Sequence, residues 1–298
     1  MRSPVARAFV TSSLLSSAAL SIFTWSTRAL ADNESAAAVV NAHDDEPKKV
    51  TTDPNEVVVQ GAARSPSFTQ SRQFSTTRFW LLDPGKQSIE AWYSSRIDKD
   101  GEKNTTKHLW QLEYAYSPFR GLQVDLYFNY QWDKAQKYHV EGAQLEARIA
   151  PFRYGEVFLN PVLYVEWHPR NRDVNRGELR LLLGGEIVRG LRGAINPFFE
   201  QNLDSAGPGS TFLADREIGV TGALSYAVID QVLSLGGETR LVLDQQGMER
   251  GYNRVAKVGP SFWLRIVEER VFVTGSFLFG LTKHSDKLNP IVIFGVHF

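Results

Sequence analysis

Acidic and basic residues alternate with apolar residues along much of this 298-residue sequence, and their side chains are the best suited to chemistry. In the run RGLQVDLYFNYQWD, residues 120–133, Leu122, Leu126 and Phe128 share one parity and Asp125 falls on the other. Successive side chains of a strand point to opposite faces, so this run has one apolar and one polar face. Carboxylates and guanidinium groups on one polar face can form an ion-pair network, line a path for a solute or, beside a nucleophile, support hydrolysis.

Runs of this kind fill the chain from residue 86 to its end, and we count 12 of them, including a fifth over 155–168. They are longer than the usual strands of globular proteins and match tilted membrane-spanning strands. Tight connections such as SPFRG alternate with longer polar ones such as PRNRDVNR, as short periplasmic turns alternate with external loops. The pattern predicts an all-β fold, a transmembrane antiparallel up-and-down barrel of about 12 strands. A soluble β-sandwich is the alternative, but it would not need an apolar band facing outward.

Lipid decides which face of these strands points inward. An Arg or Lys facing lipid near the midplane costs about 2–4 kcal/mol, so the charged parity must face the lumen. We therefore expect Asp125 inside the barrel, with Arg148 as its partner. The predicted lumen-lining residues, which would also form the solute pathway, are Glu90, Glu113, Asp125, Glu146, Arg148, Glu166, His168, Arg180, Glu186, Arg192, Glu200, Glu217, Glu238, Arg240, Lys257 and Arg265.

The N-terminal part of the chain has a different composition. Residues 1–31 combine a basic start, an apolar Ser-rich stretch and a small-residue site ending at Ala31, which predicts a cleaved signal peptide. Residues 32–78 are predicted to be a flexible periplasmic tail, because their polar, Pro-broken beginning cannot bury enough apolar surface to fold alone. The barrel is assigned to residues 79–298.

One segment of the tail, EVVVQGAARSP at residues 56–66, resembles the TonB box of TonB-dependent outer-membrane receptors. The resemblance implies that Val57, Val58 and Val59 contact TonB by adding a strand to its sheet edge. The chain departs from those receptors in one respect. They carry a plug domain of well over a hundred residues before the barrel, and here only residues 67–85 intervene.

Two stretches of the barrel resemble known outer-membrane proteins. FWLLDPGKQSIEAWYSSR, residues 79–96, is similar to the start of small barrels of the MetA-pathway of phenol degradation family. That resemblance implies a transporter or porin for small, often hydrophobic molecules and brings no catalytic residues with it. The last strand, PIVIFGVHF, resembles the C-terminal strand of outer-membrane proteins, which implies that the barrel assembly machinery reads Phe298.

Composition restricts the partners and the chemistry. Thirty-three basic and 33 acidic residues leave no net charge, so we expect no nucleic-acid partner. The absence of cysteine excludes thiolate metal sites, and no histidine spacing suggests a metal, so we expect neither metal nor cofactor. The expected surroundings are outer-membrane lipid and lipopolysaccharide.

The sequence leaves three functions open. The first is an outer-membrane channel or transporter for a small solute through a Glu- and Arg-lined lumen. The second is a structural barrel whose lumen is closed by a salt-bridge network. The third is an outer-membrane lipid hydrolase. His284, Ser285 and Asp286 adjoin one another and His168 lies near Glu166, but no set of nucleophile, base and orienting group emerges, and we do not expect an enzyme.

Overall fold

The computed structural model describes residues 65–99, 106–133, 137–170, 174–203, 215–245, 251–266 and 270–298. The predicted signal peptide, Val57, Val58 and Val59 lie outside these ranges. The described chain forms β1 (Gln87–Arg96), β2 (Lys107–Phe119), β3 (Leu122–Asp133), β4 (Lys137–Ile149), β5 (Val162–His168), β6 (Arg176–Val188), β7 (Leu191–Asn202), β8 (Arg216–Ile229), β9 (Leu233–Gln245), β10 (Asn253–Ile266), β11 (Val271–Gly280) and β12 (Leu288–His297).

The strands form one closed antiparallel sheet in which each pairs with its sequence neighbours. β1 and β12 complete the circle over the register Ser88↔His297 to Ser94↔Ile291. Closure satisfies the backbone groups that an open sheet edge would leave unpaired, which is the condition for a sheet to lie in lipid. The predicted all-β, 12-stranded barrel is therefore confirmed. Among the described residues, no helix has the length and apolar character needed to cross a membrane.

The outer face of the barrel is apolar. On β2 and β3, Trp110, Leu112, Tyr114 and Phe128 are 41–48 % exposed, whereas the intervening Glu113 is 0 % exposed. The same alternation recurs on β5 and β11, where Leu163, Val165, Phe277 and Phe279 are exposed. An exposed apolar surface of this extent, with Trp and Tyr among its residues, is the surface of a barrel that faces lipid.

The fifth strand begins later than the sequence predicts, at Val162 rather than residue 155. Residues 150–161 form a folded connection at the barrel end where β1 begins and β12 finishes. Leu159 and Asn160 have φ angles of 61° and 45°, a conformation that interrupts a strand. The Asn160 amide donates to the carbonyl oxygen of Gly184 at 2.8 Å and ties this connection to β6.

Residues 65–86, which we call the lumen segment, run into the barrel and back, and residues 84–86 at its finish are exposed. Phe68, Phe74, Phe79 and Leu81 of this segment are each at most 5 % exposed. The sequence predicts a flexible tail over residues 32–78, and for residues 65–78 the structure corrects that prediction. The polar composition that justified the tail belongs to its earlier part, whereas the aromatic residues after Ser67 bury their side chains against the barrel wall.

Candidate functional site: the segment in the barrel lumen

The lumen segment enters and leaves at one end of the barrel, the predicted periplasmic end. At its start, the Ser67 hydroxyl donates to Gln231 in the turn between β8 and β9, and the Ser67 carbonyl accepts a 2.6 Å bond from Arg265. At its finish, the amide of Gly85 donates to the carbonyl of Ser117 at 2.7 Å, beside the start of β1. The chain between these points therefore forms a loop that reaches into the lumen and returns.

Arg72 attaches the lumen segment to the wall at β1 and β2. Its Nε lies 2.7 Å from Glu90 Oε2, and its Nη2 lies 2.8 Å from Glu113 Oε2. The guanidinium carbon sits 3.8 Å from the centroid of the Trp92 ring, a cation–π distance. All three charged side chains are at most 4 % exposed, so water screens these ion pairs little.

Arg78 is a second attachment and connects two sides of the lumen. Its Nη2 lies 2.7 Å from Glu113 Oε1 on β2. On β7, the Asn196 side chain accepts from the Arg78 amide at 2.8 Å and donates to the Arg78 carbonyl at 2.7 Å. Burial alone would lower the pKa of Arg78, but Glu113 and Glu90 outweigh burial and raise that pKa above its ordinary value. Arg78 therefore stays a cation throughout the physiological pH range.

Glu238 on β9 attaches the segment without a cation. Its carboxylate accepts from the amide and hydroxyl of Ser75 at 2.9 and 3.1 Å, and from those of Thr76 at 2.7 and 2.6 Å. Glu238 is 1 % exposed, and no basic side chain of the described residues lies within ion-pair distance of it. Four hydrogen bonds from the lumen segment thus replace the counter-ion that a buried carboxylate normally requires.

Apolar packing and small wall residues complete the closure. Phe68, Phe74 and Phe79 pack against Ala194, and a Cβ added at Gly184 would lie 2.7 Å from the Cβ of Phe79. A cavity of about 20 Å³ lies beside the segment near Arg72 and Arg148. Such a volume holds about one water molecule, so the segment packs closely against the wall there.

The remaining inward charges pair along the wall. Carboxylates lie directly opposite one another on neighbouring strands, as in the pairs Asp125↔Glu146 and Glu178↔Glu200. Repulsion between them destabilises a sheet unless cations lie close by. The cations lie on the same face. The pairs include Arg148 with Asp125 at 2.7 Å and with Glu146, Arg180 with Glu178, Arg176 with Glu200 at 2.7 Å, Arg240 with Glu217 at 3.2 Å, and Lys257 with Asp286.

Other predicted lumen residues lie at the two ends of the barrel. Arg192 stacks on Phe68, with its guanidinium carbon 4.0 Å from the ring centroid, and so supports the lumen segment near the periplasmic end. The His168 ring lies 3.2 Å from the Asn129 amide, nearer the opposite end. Glu166 accepts from the Tyr164 hydroxyl. Glu186 lies opposite Arg192, with its Oε1 3.9 Å from the Arg192 Nε, but it is exposed at the rim, where it accepts from the Gly190 amide at 2.8 Å.

The loop between β11 and β12 contains the adjacent His284, Ser285 and Asp286. The Ser285 side chain is buried, and its hydroxyl lies 2.7 Å from the Thr282 hydroxyl and donates to the Ala256 carbonyl at 2.9 Å. Asp286 pairs with Lys257. These contacts fasten the loop to β10.

Comparison with known proteins identifies the architecture. No protein-family model and no curated protein sequence matches the chain. Among solved structures, the COG4313 outer membrane channel from Pseudomonas putida F1 is 11 % identical, with 74 % of this chain and 98 % of that chain covered and a TM-score of 0.51. The translocator domain of autotransporter NalP from Neisseria meningitidis is 12 % identical over 74 % of this chain and 90 % of its own, with a TM-score of 0.42. The outer membrane protein Omp33 of Acinetobacter baumannii is 12 % identical over 74 % and 99 %, with a TM-score of 0.35.

The chain has the fold of a bacterial outer-membrane β-barrel. Its closed 12-stranded sheet and apolar outer face agree with the fold of the COG4313 channel. Because the strand number is even, both barrel termini lie at one end, which the pattern of short turns predicts to be the periplasmic end.

The residues that hold the outer-membrane barrel closed, Arg72, Ser75, Thr76 and Arg78, are absent from the sequence prediction. One signal for them exists. Residues 65–82 contain no acid, two arginines and four large aromatic side chains, whereas the predicted barrel wall carries more inward acids than bases. A cationic, aromatic stretch next to an acidic lumen is complementary to it in charge.

Proposed function

We propose that this barrel is an outer-membrane channel or transporter for a small solute, and that the lumen segment is its gate. One observation carries the proposal. The lumen is closed by a segment that is no part of the sheet, and β1 already pairs with β2 and β12 along both edges. The segment can therefore leave without breaking a strand pair, and its departure would open a charged path between wall residues such as Asp125, Arg148 and Glu217.

The experiment that tests this function is conductance of the full chain in a planar bilayer, compared between wild type and Glu238→Gln. Glutamine keeps the size of the side chain, but its amide nitrogen cannot accept, so the two bonds to one of the two oxygens, from Ser75 or from Thr76, are lost. Hydrogen bonds to a charged group contribute about 1.5–3 kcal/mol each, so the closed state loses stability relative to the open one. We expect a higher open probability in the variant than in wild type.

Glu217→Gln is the matched control, since Glu217 pairs with Arg240 at 3.2 Å and no described contact joins it to the lumen segment. We expect it to open no more often than wild type. If neither wild type nor Glu238→Gln conducts any ion or takes up any solute, the channel proposal is wrong. That result would favour a structural barrel, the reading supported by the close packing around the segment.

We also propose that a periplasmic partner, TonB, acts on the chain just upstream of the gate. The support is positional, because Ser67 lies beside the periplasmic turn that holds Gln231, and Val57, Val58 and Val59 precede it by a few residues. Deleting residues 56–60 is expected to abolish energy-dependent solute uptake by cells and leave the amount of assembled barrel unchanged. A deletion of residues 41–45 serves as control. Equal uptake by both deletion strains would contradict TonB contact.

The barrel termini support a proposal about assembly and surroundings. Phe298 is 57 % exposed, and its amide donates to the Gln87 carbonyl at 3.1 Å, so the terminal aromatic ring stands free at the seam of the barrel. We infer that the assembly machinery contacts this residue, and that lipid and lipopolysaccharide cover the apolar outer face. The resemblance to the MetA-pathway family supports a solute of small size.

A further inference from the structure

Four wall side chains surround the guanidinium groups of the lumen segment, and we call Glu90, Trp92, Glu113 and Tyr127 the cation box. They come from three neighbouring strands, because Glu90 is directly opposite Glu113 and Glu113 directly opposite Tyr127. The Trp92 indole donates to Glu113 Oε2 at 3.1 Å, and the rings of Trp92 and Tyr127 meet edge to face at 6.4 Å. The box is thus an ordered arrangement of two carboxylates and two aromatic rings.

The wall supplies the box, whereas the lumen segment supplies its cations. Two carboxylates directly opposite each other repel, so the box is stable only with a cation between them. Arg72 fills that position, and Arg78 adds a 2.7 Å contact to Glu113. The wall cation Arg148 lies 3.9 Å from Glu113 but 2.7 Å from Asp125. When the segment leaves, the box therefore keeps its acids and loses the cations that neutralise them.

The geometry of the occupied box indicates the chemistry of a competing ligand. Arg72 uses two nitrogens on two carboxylates and presents its face to Trp92. A planar guanidinium satisfies both requirements at once, whereas a hydrated metal cation or a compact ammonium satisfies them less well. Charge-assisted hydrogen bonds and a cation–π contact in a site that excludes water give strong selectivity for such a group.

We propose that the cation box is a binding site for a guanidinium-bearing organic cation, and that Arg72 occupies this site as an internal stand-in while the barrel is closed. The inference rests on the proposed function for the path that the solute takes. A solute that reaches the box competes with Arg72 and lowers the stability of the closed state, because a ligand shifts an equilibrium toward the state that it binds better. Arg72 therefore occupies the cation box in the closed state, and the solute occupies the same box in the open state.

The test is binding of methylguanidinium to full-length Arg72→Ala, measured by titration calorimetry and by the fluorescence of the tryptophans, which include Trp92. The substitution removes the cation that lies between the two carboxylates and against Trp92, and it leaves Arg78 and the four box residues in place. We expect saturable binding to the variant, at least about tenfold tighter than that of sodium at equal ionic strength, given the added stacking and paired hydrogen bonds. Wild type, whose box is filled, is expected to bind methylguanidinium at least about tenfold more weakly than the variant.

Arg72→Ala with Glu113→Gln is the matched control and is expected to lose the binding. Absence of saturable binding to Arg72→Ala, or equal binding to the control, would overturn the inference. If Arg72→Ala does not fold, Arg72→Gln is titrated instead and methylguanidinium is added during refolding of Arg72→Ala. Assembly of Arg72→Ala that is restored by methylguanidinium supports the inference. If Arg72→Ala still misfolds with methylguanidinium present and Arg72→Gln does not bind it, the inference is overturned. If Arg72→Ala conducts ions but does not bind methylguanidinium, the cation-box inference is wrong and the channel proposal stands. If it binds methylguanidinium but never conducts, the channel proposal is wrong and the cation-box inference stands.

Discussion

Replacing Arg72 and Arg78 together by alanine is expected to open the barrel. The double variant removes both cations that the lumen segment places against Glu90 and Glu113. Breaking a buried ion pair from one side costs about 3–5 kcal/mol, because a charge is left buried without a partner. Water reduces that cost by hydrating the carboxylates, and departure of the segment admits it. Even about 3 kcal/mol would raise the ratio of open to closed barrels about a hundredfold.

The measurement is open probability of the full-length double variant in planar bilayers at neutral pH. Arg216→Ala is a control of equal chemistry, since Arg216 donates to Gln245 and Tyr252 at 2.7 Å near the external end. We expect the control to remain as closed as wild type. A double variant that assembles and stays closed would show that these ion pairs do not hold the gate.

The barrel itself is expected to tolerate the double substitution. Strand pairing and the apolar outer face do not involve the lumen segment, and the acids exposed by its departure become hydrated. Resistance of the folded barrel to heat in detergent should therefore stay close to that of wild type. A large loss of heat resistance would mean that the segment stabilises the wall as well as closing it.

The wall could be predicted from the sequence because lipid imposes one rule on every strand. In a strand of period two, a single charge such as Asp125 determines which parity faces inward, and the apolar residues on either side follow. The same parity holds to the end of β6. Glu186 lies directly opposite the inward-facing Arg192 and is exposed because it stands at the rim of the barrel.

The gate could not be predicted in the same way. Its residues follow neither period two nor period 3.6, and their partners come from distant parts of the chain. Arg72 contacts Glu90 on β1, Arg78 contacts Asn196 on β7, and Ser75 contacts Glu238 on β9. Only closure of the barrel brings those three strands around one short segment, and local patterns carry no information about such contacts.

A reversible cross-link offers the strongest control over the gate. The hydroxyl oxygens of Ser75 on the lumen segment and Ser276 on β11 lie 2.5 Å apart, and the natural chain contains no cysteine. Replacing both serines by cysteine places two sulfurs within reach of a disulfide, and no other thiol can compete for them. The bond would fix the middle of the segment to the wall without altering Glu90 or Glu113, and Glu238 would lose only the bond from the Ser75 hydroxyl.

Solute uptake and conductance of Ser75→Cys/Ser276→Cys, measured before and after reduction of the disulfide, test most directly whether the segment is the gate. We expect no measurable transport while the disulfide is intact and transport at or above the wild-type level after reduction, with both single-cysteine variants insensitive to the oxidant. Equal transport by the oxidised and reduced forms of the double variant would show that the solute passes without movement of the segment, and would contradict the account.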